Sequence, residues 1–206
     1  METSAGLLAP APGTRDRLDD TAAGKREVSV LFADLAGFNS FSEGRDPREV
    51  SGMLNACFEV AIPPIAREHG GQIDRLIGDA IMATWGTRGD QPDHAERAVR
   101  AVAAVQAQTT QIADQHPEWP RFRIAVNSGE ALVGVVGAGE RAKLHGDRRH
   151  GERGGTARGR APAGGVVVGG ATLRAVPGLR ATSLGEIEVK GKRETVDAYL
   201  LETRLR

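Results

Sequence analysis

Val28-Ser29-Val30-Leu31-Phe32-Ala33-Asp34-Leu35-Ala36-Gly37-Phe38 is the stretch whose reading decides the fold. Val28 to Ala33 is a short β-rich run and reads as a buried strand that ends on an aspartate. Leu35 to Ser40 follows as a turn of small residues. Downstream, Asp46-Pro47 places an N-cap before a proline at the first helical position. Val50, Met53, Leu54, Cys57, Phe58 and Ala61 then recur at helical spacing and predict a core stripe. Cys57 lies on that stripe, which assigns it to packing. Pro63-Pro64 should kink or break the helix, and Gly70-Gly71 closes the unit. Gln72–Ile77 and Ala80–Trp85 flank Gly78-Asp79, the pattern of a hairpin. Asp93 to Glu96 has capping-box spacing and opens a helix carrying Val99, Val102, Val105 and Ile112. Phe122, Ile124 and Val126 alternate as a strand, Gly129-Glu130 reads as a turn, and Ala131–Val136 as the next strand. A strand at 165–168, a short helix at 171–176 and a hairpin through Ile187, Val189, Val196, Ala198 and Leu200 complete the chain. The order β-α-β-β-α-β, with extra elements at the end, predicts an α+β fold, a ferredoxin-like βαββαβ sandwich.

Composition bounds the function. The chain has 206 residues, which allows one domain or two small ones. Twenty-seven Lys and Arg balance 27 Asp and Glu. That neutrality argues against bulk electrostatic attraction to nucleic acid or to an anionic membrane surface. A lone cysteine excludes a disulfide framework and fits a reducing compartment, and no basic-then-apolar leader is visible, so the expected location is cytoplasmic. No apolar run approaches the roughly 18 residues of a spanning helix. Residues 1–25 are expected to form a disordered lead or the remnant of a linker, and 26–203 a single domain.

Two carboxylates stand out. Asp34 ends a strand, and Asp79 sits at a hairpin tip. In a β-α-β-β sheet the first and third strands are neighbours, so both carboxylates can reach one edge. With no basic residue next to either in the sequence, they would repel, and a divalent cation would remove that repulsion. The small-residue turn after Asp34 could turn backbone N–H groups toward phosphate oxygens. Spacing alone leaves two readings: a nucleotide triphosphate site with metal, or an ordinary aspartate cap. An aspartyl-phosphate receiver built on Asp34 suits neither Gly37-Phe38 nor the second motif at Asp79.

Phe32-Ala33-Asp34-Leu35-Ala36-Gly37-Phe38 and Ile77-Gly78-Asp79-Ala80 resemble the two metal motifs of class III adenylate and guanylate cyclases. The resemblance extends through Gly70–Arg75, Asp93–Ala98, Val126–Glu130, Val133–Gly137 and Leu184–Lys192. It implies the fold already read from the element order, in its class III nucleotidyl cyclase form. It also implies a purine nucleotide cyclase that converts ATP to cyclic AMP and pyrophosphate. On this resemblance Asp34 and Asp79 would bind two Mg2+ or Mn2+ ions, and Leu35 would add a backbone carbonyl. Ala36, Gly37, Phe38 and Asn39 would contact phosphate, Asn39 standing where the family usually has Thr, and Lys190 would reach the triphosphate. Arg75 stands where adenylate cyclases usually carry a purine-recognising Lys. Arg keeps the charge but not the shape, which leaves ATP against GTP open. The implied assembly is a head-to-tail homodimer in which one chain supplies the aspartates and the other an Asn and an Arg.

The resemblance fails over residues 143–159. The family pattern of a Tyr, Gly-Asp-x-Val-Asn and Ala-Ala-Arg is replaced by a basic, Gly-rich stretch with five Gly, five Lys or Arg and two His. By composition this is a flexible basic loop through which no strand can be drawn. Codons exist for Lys143 onward, legal at every residue, which read one base later as Ser-Tyr-Thr-Val-Ile-Gly-Asp-Thr-Val-Asn-Val-Ala-Ala-Arg-Leu-Glu. That is the missing motif, in place and of the right length. The stretch is therefore read as the product of two compensating frame changes, near Ala142 and near Gly159. Glu152 then stands at the Asn position and Thr156 at the Arg position. This form is expected to be impaired, or to act as a degenerate nucleotide-binding or dimerisation partner of an intact cyclase.

Overall fold

The computed structural model describes residues 24–135, 142–144, 159–188 and 195–202. In chain order these form β1 (Gly24–Leu35), α1 (Phe38–Ser42), α2 (Pro47–Pro63), β2 (Gln72–Ile77), β3 (Ala80–Trp85), α3 (His94–Gln115), β4 (Phe122–Val135), β5 (Ala142–Leu144), β6 (Val166–Gly169), α4 (Gly170–Ala175), β7 (Ala181–Glu188) and β8 (Thr195–Leu201). One mixed sheet runs in the order β2-β3-β1-β4-β6-β8-β7, with β5 paired to β4. Its first four strands have the ferredoxin-like arrangement expected from the sequence. The β1–β3 and β1–β4 pairs are antiparallel, and β4–β6 is parallel.

Alternation along β1 assigns its two faces. Leu31, Ala33 and Leu35 pack under the helices with Met53, Cys57 and Ala61 of α2 and with Val99, Val102 and Val105 of α3. Burying each such Val or Leu is worth about 1.5–3 kcal/mol relative to exposure. Val28 and Val30 point the other way and pack with Ala131, Val133, Phe32 and Met82. Asp34 has the parity of this second face.

Local chemistry explains most boundaries. The Asp46 side chain accepts from the Arg48 N–H at 2.7 Å, with Pro47 at the first helical position. Pro63 and Pro64 lack the N–H groups an α-helix would use, and the chain widens into a π-helical turn over Pro64–Glu68. Behind it, a side chain at Gly71 would come within 2.5 Å of the Trp85 ring. Glycine there lets Trp85 lie flat in the core and donate to the His69 carbonyl at 2.9 Å.

Four local expectations are corrected. Gly24 and Lys25, read as the end of the lead, belong to β1 and pair with Val133 and Leu132. Gly129-Glu130 is not a turn: β4 runs through it, opposite Val28 and Glu27. Asp93 forms no side-chain cap and pairs instead with Arg97 at 2.7 Å, so the capping box is not made. Ala142-Lys143-Leu144 forms β5, so a strand does enter the aberrant stretch.

Candidate functional site

Asp34 lies one residue from the end of β1, on the face away from the helices, because Ala33 and Leu35 are held in the helix-side core. Its partner across the antiparallel pair is Arg123 of β4. The guanidinium grips the carboxylate in a fork: Nε donates to Oδ1 at 2.8 Å and a terminal nitrogen donates to Oδ2 at 2.9 Å. The Asp34 side chain is 9% exposed and that of Arg123 31%, so the pair sits where the sheet edge meets solvent. Hydrogen bonding to Asp34 raises the Arg123 pKa above its ordinary value, and the charges of Asp34 and Asp79 add to that.

Asp79 reaches the same edge from the β2–β3 hairpin. Gly78, at φ +59°, takes the left-handed conformation that the two-residue turn requires. Asp79 then accepts from the Leu35 N–H through Oδ2 at 3.1 Å. Carboxylates 45 positions apart in the chain are thus brought to consecutive residues of β1. Sequence reasoning placed no basic residue beside them, and Arg123 corrects it. The missed signal was strand parity, since Arg123 falls between the core residues Phe122 and Ile124 and so shares the face of Asp34.

The other expected residues divide. Arg75 of β2 pairs across the strands with Met82, which pairs with Phe32, so Arg75 shares the face of Asp34. Its Nε donates to the adjacent Asp74 at 2.5 Å, and its side chain remains 49% exposed. The Ala36 N–H is not free for phosphate, because it donates to the Arg121 carbonyl at 2.9 Å. Gly37, at φ +82°, turns the chain into α1, where Phe38, Asn39 and Ser40 carry first-turn N–H groups without intrahelical acceptors. Lys190 and residues 145–158 lie outside the described residues.

The donor set fits a hard divalent cation. Two carboxylates and the Leu35 carbonyl are oxygen donors, and Mg2+ characteristically takes one or two carboxylates and completes its shell with water and substrate phosphate. Among the described residues no cluster of three or more His, Cys, Asp or Glu exists. A cage made wholly of protein ligands is therefore not available from them. Arg123 occupies one direction on each Asp34 oxygen. Among the described residues no helix is long and apolar enough to cross a membrane.

Comparison with known proteins gives a consistent result. The sequence model of the adenylate and guanylate cyclase catalytic domain matches residues 21–203. Adenylate cyclase 1 of Rhizobium meliloti is 31% identical over 186 residues, which cover 86% of this chain and 28% of that protein. The adenylate cyclase of Anabaena cylindrica is 42% identical over 76 residues, 35% of this chain and 14% of that one. The chain thus spans less than a third of the length of these curated relatives. Among solved structures, the guanylyl cyclase Cya2 is similar at a TM-score of 0.72 and 28% identity, over 87% of this chain and 93% of that one. The guanylate cyclase domain of RhGC from Catenaria anguillulae, solved in complex with GTP, is similar at a TM-score of 0.76 and 25% identity, over 88% of this chain and 100% of that one.

Proposed function

The chain belongs to the family of adenylate and guanylate cyclase catalytic domains, and from that premise we propose that it binds a purine nucleoside triphosphate at the edge shared by Asp34 and Asp79. The hydrogen bond from the Leu35 N–H to Asp79 carries this reading, because it sets both carboxylates at one strand end. Asp34, Asp79 and the Leu35 carbonyl would hold Mg2+ or Mn2+. When bound, such ions supply charge neutralisation at the polyphosphate and acidify a ribose hydroxyl.

The chain's own residues do the rest. Asp34 and Asp79 orient the triphosphate end of the substrate. Arg123 faces the same edge and exchanges its carboxylate partner for a phosphate oxygen, a fork geometry that Arg suits. The first-turn N–H groups of Phe38 and Asn39 and the side chain of Lys190 would add donors to the phosphates by resemblance. Arg75 reads the base. The reaction proposed is closure of ATP to cyclic AMP with release of pyrophosphate, in a head-to-tail homodimer.

This form is impaired. The family's ribose-orienting Asn and charge-stabilising Arg are replaced by Glu152 and Thr156. One preorganised donor to developing charge is commonly worth about 2.7–4 kcal/mol, so losing both slows turnover by several orders of magnitude. The same departure favours a second reading, in which the chain pairs with an intact cyclase and completes one site from its own Asp34 and Asp79. Cyclic nucleotide formation by the purified chain, alone and mixed with an intact relative, tests both. Near-silence alone with activity restored in the mixture is expected. Full activity alone refutes the impairment, and silence in both refutes the partner reading.

A further inference from the structure

A second concavity lies under the helices, on the side of the sheet away from Asp34. It is a cavity of about 160 Å3 between α2, α3, the start of β4 and the loop at Ala163-Gly164. Its walls are largely apolar: Cys57, Ile112, Ala113, Trp119 and Phe122. Burial pushes the Cys57 thiol up to about 11, so it is a neutral, greasy wall rather than a nucleophile. The Trp119 ring is fixed by stacking on His116, with centroids 3.9 Å apart and planes within 8°.

Three polar side chains of the wall bond within the fold. The hydroxyls of Thr109 and Thr110 donate to the carbonyls of Val105 and Gln106, each at 2.8 Å. The Gln106 amide donates to the Gly164 carbonyl at 2.7 Å. Arg121 is the single charged residue among the described residues of the lining. It is exposed and has no ion-pair partner among the described residues. A long cationic side chain in such a place lays its stem on the apolar wall and keeps its head toward water.

We propose that this cavity is a binding site for a small aryl carboxylate, with the ring between Trp119 and Phe122 and the carboxylate on Arg121. The volume favours a single ring, since apolar cavities of about 150 Å3 accept a benzene-sized molecule. The charge favours an anion, because the described residues of the lining include a cation and no carboxylate. A nucleotide is too large for this volume.

Benzoate and its neutral analogue benzamide, titrated into the full chain at millimolar concentrations and followed by calorimetry and ligand-observed NMR, test this. Neither readout depends on cyclase activity, so the result stands apart from the reading of Asp34 and Asp79. Benzoate should bind about tenfold more tightly than benzamide, the worth of one charge-assisted contact near solvent. Arg121→Gln should weaken benzoate by about that factor and leave benzamide unchanged. Ala113→Leu should fill the cavity and abolish binding of both. The proposal is overturned if wild type binds neither ligand, if Arg121→Gln leaves the preference intact, or if a folded Ala113→Leu variant binds as wild type does. Should Ala113→Leu fail to fold, the exposed Arg121→Gln variant decides alone.

Discussion

Arg123 gives Asp34 a cationic partner of the chain's own. At 2.8 and 2.9 Å the fork neutralises a carboxylate that is 9% exposed. A carboxylate so nearly desolvated is costly without a partner. The guanidinium therefore holds this edge together and, under the proposed function, would compete with a divalent ion for the same oxygens. Arg123→Gln should accordingly raise Mn2+ affinity in the absence of nucleotide and weaken nucleoside triphosphate binding in its presence. It should also cost about 1.5–3 kcal/mol of stability, the range for a hydrogen bond to a charged group. Parallel titrations of Mn2+ and of a non-reactive triphosphate check both signs, and an unchanged triphosphate affinity would remove Arg123 from the site. Asp34 and Asp79 were legible from sequence because an acid at a strand end and another at a Gly-Asp tip are local patterns. Arg123 was not, because its meaning depends on the register between β1 and β4, which no local pattern records.

A buried polar chain ties four elements together. Ser29 of β1 shares a hydrogen bond with His94 Nδ1 at the start of α3, at 2.8 Å, and another with Ser128 of β4, at 2.7 Å. Thr172 of α4 donates to Ser128 at 3.0 Å. Desolvation lowers the His94 pKa below its usual 6.5, while the charges of Glu27 and Asp93 oppose that shift. The folded state therefore prefers neutral His94. Above about pH 6.5 both states carry it neutral and stability is flat in this respect. As pH falls below that value the unfolded chain takes up a proton that the fold resists. Stability then drops, by at most about 1.4 kcal/mol per pH unit, and levels off once the folded-state pKa is passed. Unfolding midpoints from pH 8 to pH 5 should fall more steeply for wild type than for His94→Gln, and parallel slopes would contradict the assignment. At this scale the long helices were readable from apolar residues at helical spacing, and the hairpin from two apolar-containing runs around Gly78-Asp79. The full length of β1 was hidden by polar Gly24-Lys25-Arg26-Glu27, which is strand because β4 lies beside it. The continuity of β4 was hidden by a Gly-Glu pair that resembles a turn in isolation. The start of β7 at Ala181 was missed because Ala181, Thr182 and Ser183 are small or polar, and Gly185 marks an irregularity in its pairing with β8.

The proposed site draws one half of its residues from β1 and the β2–β3 hairpin of this chain, and the segment at 143–159 departs from the family pattern. Replacing residues 143–158 by the shifted-frame sequence should raise cyclic nucleotide formation by several orders of magnitude if the loss of Asn and Arg is what impairs this form. The gene sequence across Lys143 tests the origin of the departure, and the absence of any single-base shift that restores the motif would refute it. The central claim is that Asp34 and Asp79 act as one divalent-cation site, and Mn2+ binding to the full chain with and without a non-reactive nucleoside triphosphate tests it most directly. Asp34→Asn and Asp79→Asn should each lower nucleotide-supported Mn2+ affinity by at least about tenfold, with the double variant little worse than either single one. Wild-type affinity in either single variant would show that the two carboxylates do not share an ion.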